Sequence, residues 1–227
     1  MSHLALLLAI SWLIPSTPPT APERDTPETC RYSSYQWHRA KRRAVNRKNI
    51  RKSYSAVRKD ERSPDDPRCT LCLEDQVEVA VAGVKPVRVC WVYAASVQKA
   101  LDEVVASGFK IEQLDGYRAG KTRGPLVEGL RTVWSNHSFG TAIDLNKHRN
   151  GIFTNCKLSG DALTPENVAK TCRKTGGGAW DPERHPNLTI TREGSVYRAL
   201  TQRVGWKWGG EISGRLKDFM HFSITGF

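Results

Sequence analysis

The chain has 227 residues, enough for one hydrophobic core with extensions, and its 39% hydrophobic and 26% charged content is that of a globular protein. Its formal charge of +12 excludes an acidic, solvating chain, and six cysteines, an even number, suit an oxidising compartment where disulfides persist. After the first residues no apolar run approaches the ~20 residues of a membrane-spanning helix, which excludes a polytopic membrane protein.

Residues 4–14 are an apolar run followed by Pro15 and a Ser/Thr/Pro-rich stretch. The run is too short to span a bilayer and fits the core of a signal peptide, so residues 1–22 are expected to be a signal peptide or an anchor. Its flanks are imperfect, since Met1-Ser2-His3 carries no cation and no A-x-A cleavage site follows. Residues 23–68 read as a basic, Pro-containing linker or arm. Between Arg31 and Arg62 stand twelve lysines and arginines against Asp60 and Glu61, most of the net charge, with Tyr32, Tyr35, Trp37 and Tyr54 interleaved. Cations and stacking aromatics can serve nucleic acid. Export argues against that partner and leaves two expectations, contact with anionic envelope polymers or a solvated, partly helical linker.

From Cys69 to the end, residues 69–227, the pattern is that of one compact α+β domain. Residues 77–81 and 87–92 read as strands. Residues 95–107 place Ala100, Leu101, Val104 and Val105 on one helical face, ended by Gly108. A strand at 109–114 then leads into the loop Gly116-Tyr117-Arg118. Cys69-Thr70-Leu71-Cys72 could be a redox pair or half a zinc ribbon, but there is no second C-x-x-C and no thioredoxin-like unit. Structural disulfides among Cys30, Cys69, Cys72 and Cys90 are expected, with their connectivity open.

The chemistry is declared by Ser135-Asn136-His137-Ser138-Phe139-Gly140-Thr141-Ala142-Ile143-Asp144 and, far downstream, by Asp218-Phe219-Met220-His221-Phe222. Two histidines and a carboxylate are a catalytic zinc ligand set, three protein ligands leaving a fourth position for water. Two short apolar strands, 142–146 and 220–224, would each carry one such residue, with Ile143 and Leu145 facing the core and Gly140 giving the turn that folds His137 back. Singly, each residue reads as well as a satisfied core histidine or a surface aspartate. Together they are harder to dismiss, because a metal would relieve the desolvation of all three. Between the motifs lies an insertion, residues 147–194, in which Cys156 and Cys172 are expected to pair. A helix at 195–204 and the turn Trp206-Lys207-Trp208-Gly209-Gly210 follow. His148 and His185 read as surface residues, and His38 belongs to the basic arm.

The pattern S-x-H-x-x-G-x-A-x-D, then W-G-G, then D-x-x-H-F resembles the zinc metallopeptidases of bacterial cell walls. That family includes D-alanyl-D-alanine carboxypeptidases and L-alanyl-D-glutamate endopeptidases and shares its fold with the hedgehog signalling domain. The resemblance implies a small antiparallel sheet flanked by helices, stabilised here by disulfides. It implies zinc held by His137, Asp144 and His221, with Asp218 as acid/base and Arg118 beside the scissile carbonyl. It makes Ser135, Tyr117 and Trp208 the expected substrate contacts. The implied substrate is the stem peptide of peptidoglycan, cut by an exported or periplasmic, monomeric enzyme without a nucleic-acid partner. The D-x-M-H-F wording is most similar to the L-alanyl-D-glutamate endopeptidase branch, with D-alanyl-D-alanine carboxypeptidase as the alternative. Phe219, where many relatives carry proline, and Glu211-Ile212-Ser213, where many carry an aromatic, leave the ligands intact but put the groove's shape in question. A non-catalytic, zinc-containing module that binds wall fragments or a partner is the alternative of another class.

Overall fold

The computed structural model describes residues 24–227, so the expected signal peptide or anchor, residues 1–22, lies outside the described part. Among the described residues no helix is long and apolar enough to cross a membrane.

The first elements correct an expectation, because the segment read as a linker is folded. It contains an antiparallel hairpin of β1 (Thr29–His38) and β2 (Arg43–Ser53), paired from Thr29 opposite Ser53 to His38 opposite Arg43. Charge density suggested a solvated chain, but a strand can bury every second residue while its cations stay in water. Cys30 and Tyr32 are buried, whereas Arg31 and Ser33 between and after them are exposed. A disulfide then ties Cys30 to Cys72, and a second joins Cys69 to Cys90. Around these four sulfurs Tyr32, Val57, Leu71, Val92 and Phe139 form a second core beside the main one.

β3 (Gln76–Val79) and β4 (Val87–Cys90) pair antiparallel, and the helix α1 (Trp91–Ala106) starts at once. Trp91 and Val92, expected in the strand, are helical because the chain turns at Cys90, whose amide donates to Gly140 and whose sulfur is cross-linked. α1 buries Val97, Ala100, Leu101 and Val104 in the main core. Of the strand expected at 109–114 only β5 (Leu114–Asp115) pairs as strand. The residues before it are held instead by Asn146, whose Oδ1 accepts from the amides of Glu112 and Gln113 and whose Nδ2 donates to the Lys110 carbonyl.

A second hairpin, β6 (Gly120–Val127) and β7 (Leu130–Trp134), was not read from the sequence. Its signal is Glu128-Gly129, both at positive φ, the backbone of a tight two-residue turn. β8 (Ala142–Leu145) and β9 (Ile152–Thr154) follow, and then the rest of the insertion, α2 (Pro165–Thr171) and β10 (Arg173–Gly176), closed by the expected Cys156–Cys172 disulfide. α3 (Ser195–Arg198) continues into a wider π-type turn, then come β11 (Lys207–Trp208), β12 (Lys217–Asp218) and β13 (His221–Ser223).

The α+β class expected from the sequence is the observed one, with several small sheets in place of a single sheet. One sheet has the order β2-β1-β6-β7, a second β11-β13-β8-β5 and a third β10-β9-β12, with β3-β4 apart. Pairing is antiparallel except between β1 and β6. The second and third sheets meet at Phe219, which is fully buried and stacks on Trp180 at 4.2 Å.

Replacing Cys30 and Cys72 together by serine is expected to cost about 3 kcal/mol, from loss of the cross-link over a long loop. Thermal unfolding should show a Tm lower by about 10 °C, the hairpin's amides exchanging before those of α1.

Candidate metal centre and active site

Asp144 lies on the central strand β8, with His221 of β13 directly opposite on one side and Asp115 of β5 on the other. His137 comes from a single helical turn, Asn136–Phe139, ended by Gly140 at φ +67. That turn is pressed against the strand β4, and a Cβ on Gly140 would overlap Gln76 Oε1 and the Cys90 amide, so no other residue fits. The Gly116-Tyr117-Arg118 loop is tied to the same turn by the Arg118 amide, which donates to the His137 carbonyl.

Three side chains expected as ligands therefore converge. His137 Nε2 is 3.1 Å and His221 Nδ1 is 2.8 Å from Asp144 Oδ1, and all three residues are buried. Their ligating atoms lie within 4.8 Å of one another. Burial pushes the His137 ring down to about 4, so it is neutral at pH 7. Burial also pushes the Asp144 carboxyl up, but the two histidines outweigh that and hold it well below the carboxylate range.

The tautomer of His137 bears on whether a cation fits. The Gly116 carbonyl, 2.9 Å from Nδ1, can only accept, so it selects the ring with its proton on Nδ1. Arg118 Nη1, 3.0 Å from the same atom, favours the opposite tautomer. In the first case a lone pair on Nε2 meets a carboxylate oxygen, an acceptor pair that a divalent cation between them would satisfy. In either case His221 Nε2 and Asp218 Oδ1 are buried without a hydrogen-bond partner in the protein. Nitrogen and oxygen donors of this number and convergence suit a divalent transition metal, and the residues present fit one.

Asp218 arrives from another sheet. Its strand β12 pairs with β9 of the insertion, Asp218 opposite Ile152. The residue is only half-buried, but its Oδ1 is fully covered. Burial pushes the carboxyl up to about 6, the Asp144 charge adds to this, and His221, Arg123 and Arg118 oppose it. Gly209 makes the approach possible, since a Cβ there would overlap the Asp218 carbonyl oxygen. Arg118 reaches the centre through a 2.9 Å ion pair with Asp144 Oδ2, while its side chain stays 41% exposed and open to a ligand.

Two expected substrate contacts are mostly covered. Trp208 is 1% exposed, donating Nε1–H to the Phe219 carbonyl, and it borders a cavity with Trp180 and Glu211. Ser135 is 4% exposed with its hydroxyl 3.3 Å from Ser138 Oγ, and it holds the histidine turn. Tyr117 donates to the Leu71 carbonyl and lines a cavity with Arg118 through its half-buried ring. His148, on Glu112, and His185, beside Arg149, stand apart from the cluster. Sequence reasoning missed Arg123 on β6, whose guanidinium burial pulls down while the charges of Asp218 and Asp144 pull it back. A lone arginine in an unread hairpin carries no motif, and only the fold turns it toward Asp218.

A family model supplies the comparison that bears on this geometry. Residues 128–224 match the D-alanyl-D-alanine carboxypeptidase family. The match bears out the resemblance read from the motifs and spans His137, Asp144, Asp218 and His221. Tyr117 and Arg118 lie outside the matched stretch of this peptidase family, so Arg118 is tied to the site by its ion pair with Asp144. No curated protein and no solved structure gives a significant match.

Because the folded pKa of Asp218 lies above its ordinary 3.8, its ionisation opposes folding, and that cost is fully present above about pH 6. Asp218→Asn is therefore expected to stabilise the metal-free protein at pH 7.5 by about 2 kcal/mol, read as a higher Tm, and to lose the advantage at pH 3. Gly209→Ala should instead lower Tm, because its Cβ would overlap the Asp218 carbonyl oxygen and force that strand to move.

Proposed function

We propose that the protein is an exported zinc metallopeptidase that hydrolyses the stem peptide of peptidoglycan. The observation that carries this reading is an unpartnered, half-buried carboxylate, Asp218, raised to about 6 beside a three-ligand cluster. A structural ion pair would leave no such atom bare, and a binding-only module has no use for an acid/base group there.

His137, Asp144 and His221 would hold the zinc. Zinc held there would supply a Lewis acid for the scissile carbonyl and for a water molecule. Asp218 accepts the proton of the attacking water and later delivers it to the leaving amine, for which a pKa near neutrality is suited. Arg118, charged and partly open, stabilises the oxyanion as it develops.

The bond proposed is L-alanyl-D-glutamate, on the D-x-M-H-F wording around His221. The family match favours a second reading, removal of a terminal D-alanine. The three disulfides, with no free cysteine among the described residues, support an oxidising compartment and so export. The cations at the hairpin tip, Arg39, Lys41 and Arg42, would keep the monomeric enzyme near anionic wall polymers and not nucleic acid.

Mass spectrometry of purified peptidoglycan digested with zinc-supplemented protein tests the reading. Stem peptides beginning at D-glutamate are expected, absent with His137→Ala or Asp218→Ala and abolished by chelator. Loss of a terminal D-alanine alone would move the enzyme to the carboxypeptidase branch. Absence of any cleavage by folded, zinc-bound protein would leave the binding module. The acidic limb of kcat/KM is expected at or below about pH 6, since only the carboxylate form of Asp218 accepts the proton.

A further inference from the structure

The register of the hairpin places Arg31 directly opposite Arg51 and Ser33 opposite Asn49, so these four side chains share one face of the β1–β2 ribbon. Arg47 joins them beyond a bulge, its guanidinium 5.7 Å from the centre of the Tyr35 ring. Like charges facing each other across a strand pair cost stability. Glu74 relieves Arg31 at 2.7 Å, but Arg47 and Arg51 have no carboxylate partner among the described residues.

Residues of this face line a cavity of about 530 Å³ together with Arg118. Tyr35 lines the same cavity, its ring lying over Gly120. Ser33 Oγ donates to Asn49 Oδ1 at 2.6 Å, which leaves the Asn49 amide nitrogen free to donate into the cavity. The cavity thus holds the arginine paired with Asp144 together with an amide donor and two guanidinium groups that lack a carboxylate partner.

We infer that this face is a carboxylate-binding subsite, in which Arg47 and Arg51, with Asn49, hold a carboxylate of an acidic peptide whose scissile bond lies beyond Arg118. The inference rests on the peptidase reading of the site. An open cavity of this size takes a few peptide residues, and its guanidinium groups and amide donor suit the carboxylate of such a peptide. Guanidinium groups grip carboxylates in a forked geometry that an ammonium cannot copy. All of these residues precede the stretch matched by the family, so they would give this chain a substrate preference of its own.

The test is calorimetric binding of a synthetic stem tetrapeptide, with free carboxylates or fully amidated, to zinc-supplemented full-length Asp218→Asn protein, which cannot turn it over. The free acid is expected to bind about tenfold more tightly, and adding Arg47→Gln and Arg51→Gln should erase that difference. Arg51→Lys should restore only part of it, and the Tm of each variant confirms folding. An acid-to-amide ratio untouched by the arginine replacements, or no preference in the parent, would overturn the subsite. Cleavage of the same peptides by wild-type protein is read separately. A preserved preference without cleavage would overturn the peptidase reading and leave the subsite standing.

Discussion

A single carboxylate oxygen organises the centre of this protein. Asp144 Oδ1 sits on a buried strand with a histidine nitrogen on either side of it, and burying that charge is tolerable only because both rings and Arg118 face the same group. The antiparallel register that sets Asp144 opposite His221 cannot slip by one residue without turning both side chains to the other face. The core behind them, with Ile143 and Phe222 wholly buried, keeps that register in place.

The strands that carry Asp144 and His221 and the strand that carries Asp218 belong to different sheets, and the insertion supplies part of the second one. β9 pairs with β12 and so sets the height of Asp218, while Phe219 anchors the junction against Trp180 and Trp208. Asp218 is then held where it is uncomfortable, covered and without a partner. A group poised near neutrality in a folded protein is one whose ionisation the fold opposes, so its charge costs stability at this position. Gly209 shows the same economy, since the turn it makes exists to let two backbones touch.

The basic hairpin changes the shape of the molecule more than its charge suggests. Two disulfides and a second core fasten it beside the loop that carries Arg118, so it is a wall of the cavity and not a tether. Alternation along the strands gives it a buried face with Cys30 and Tyr32 and an open face with unpaired arginines. The cations of the tip, Arg39, Lys41 and Arg42, lie outside the lining of that cavity.

The metal-type residues were legible because short-range patterns carried them: alternating apolar strands each interrupted by a single ligand, a glycine where the chain must turn left-handed, and a carboxylate three residues before a histidine. The Cys156–Cys172 pair was legible for a similar reason, as two cysteines bracketing one local loop. The start of α1 was not, because Trp91 and Val92 suit a strand as well as a helix until the Cys69–Cys90 bond turns the chain. The hairpin at residues 29–53 was hidden by its charge, and the roles of Ser135 and Trp208 by their motif, since nothing local shows which side of a wall a side chain lies on. The sequence by itself therefore determined which chemistry the chain can hold, through residue types and spacing that survive any packing. Only the tertiary structure decided which of those groups are bare and which are covered. Burial and long-range pairing depend on residues as distant as Ile152 and Asp218, and no local pattern encodes their meeting.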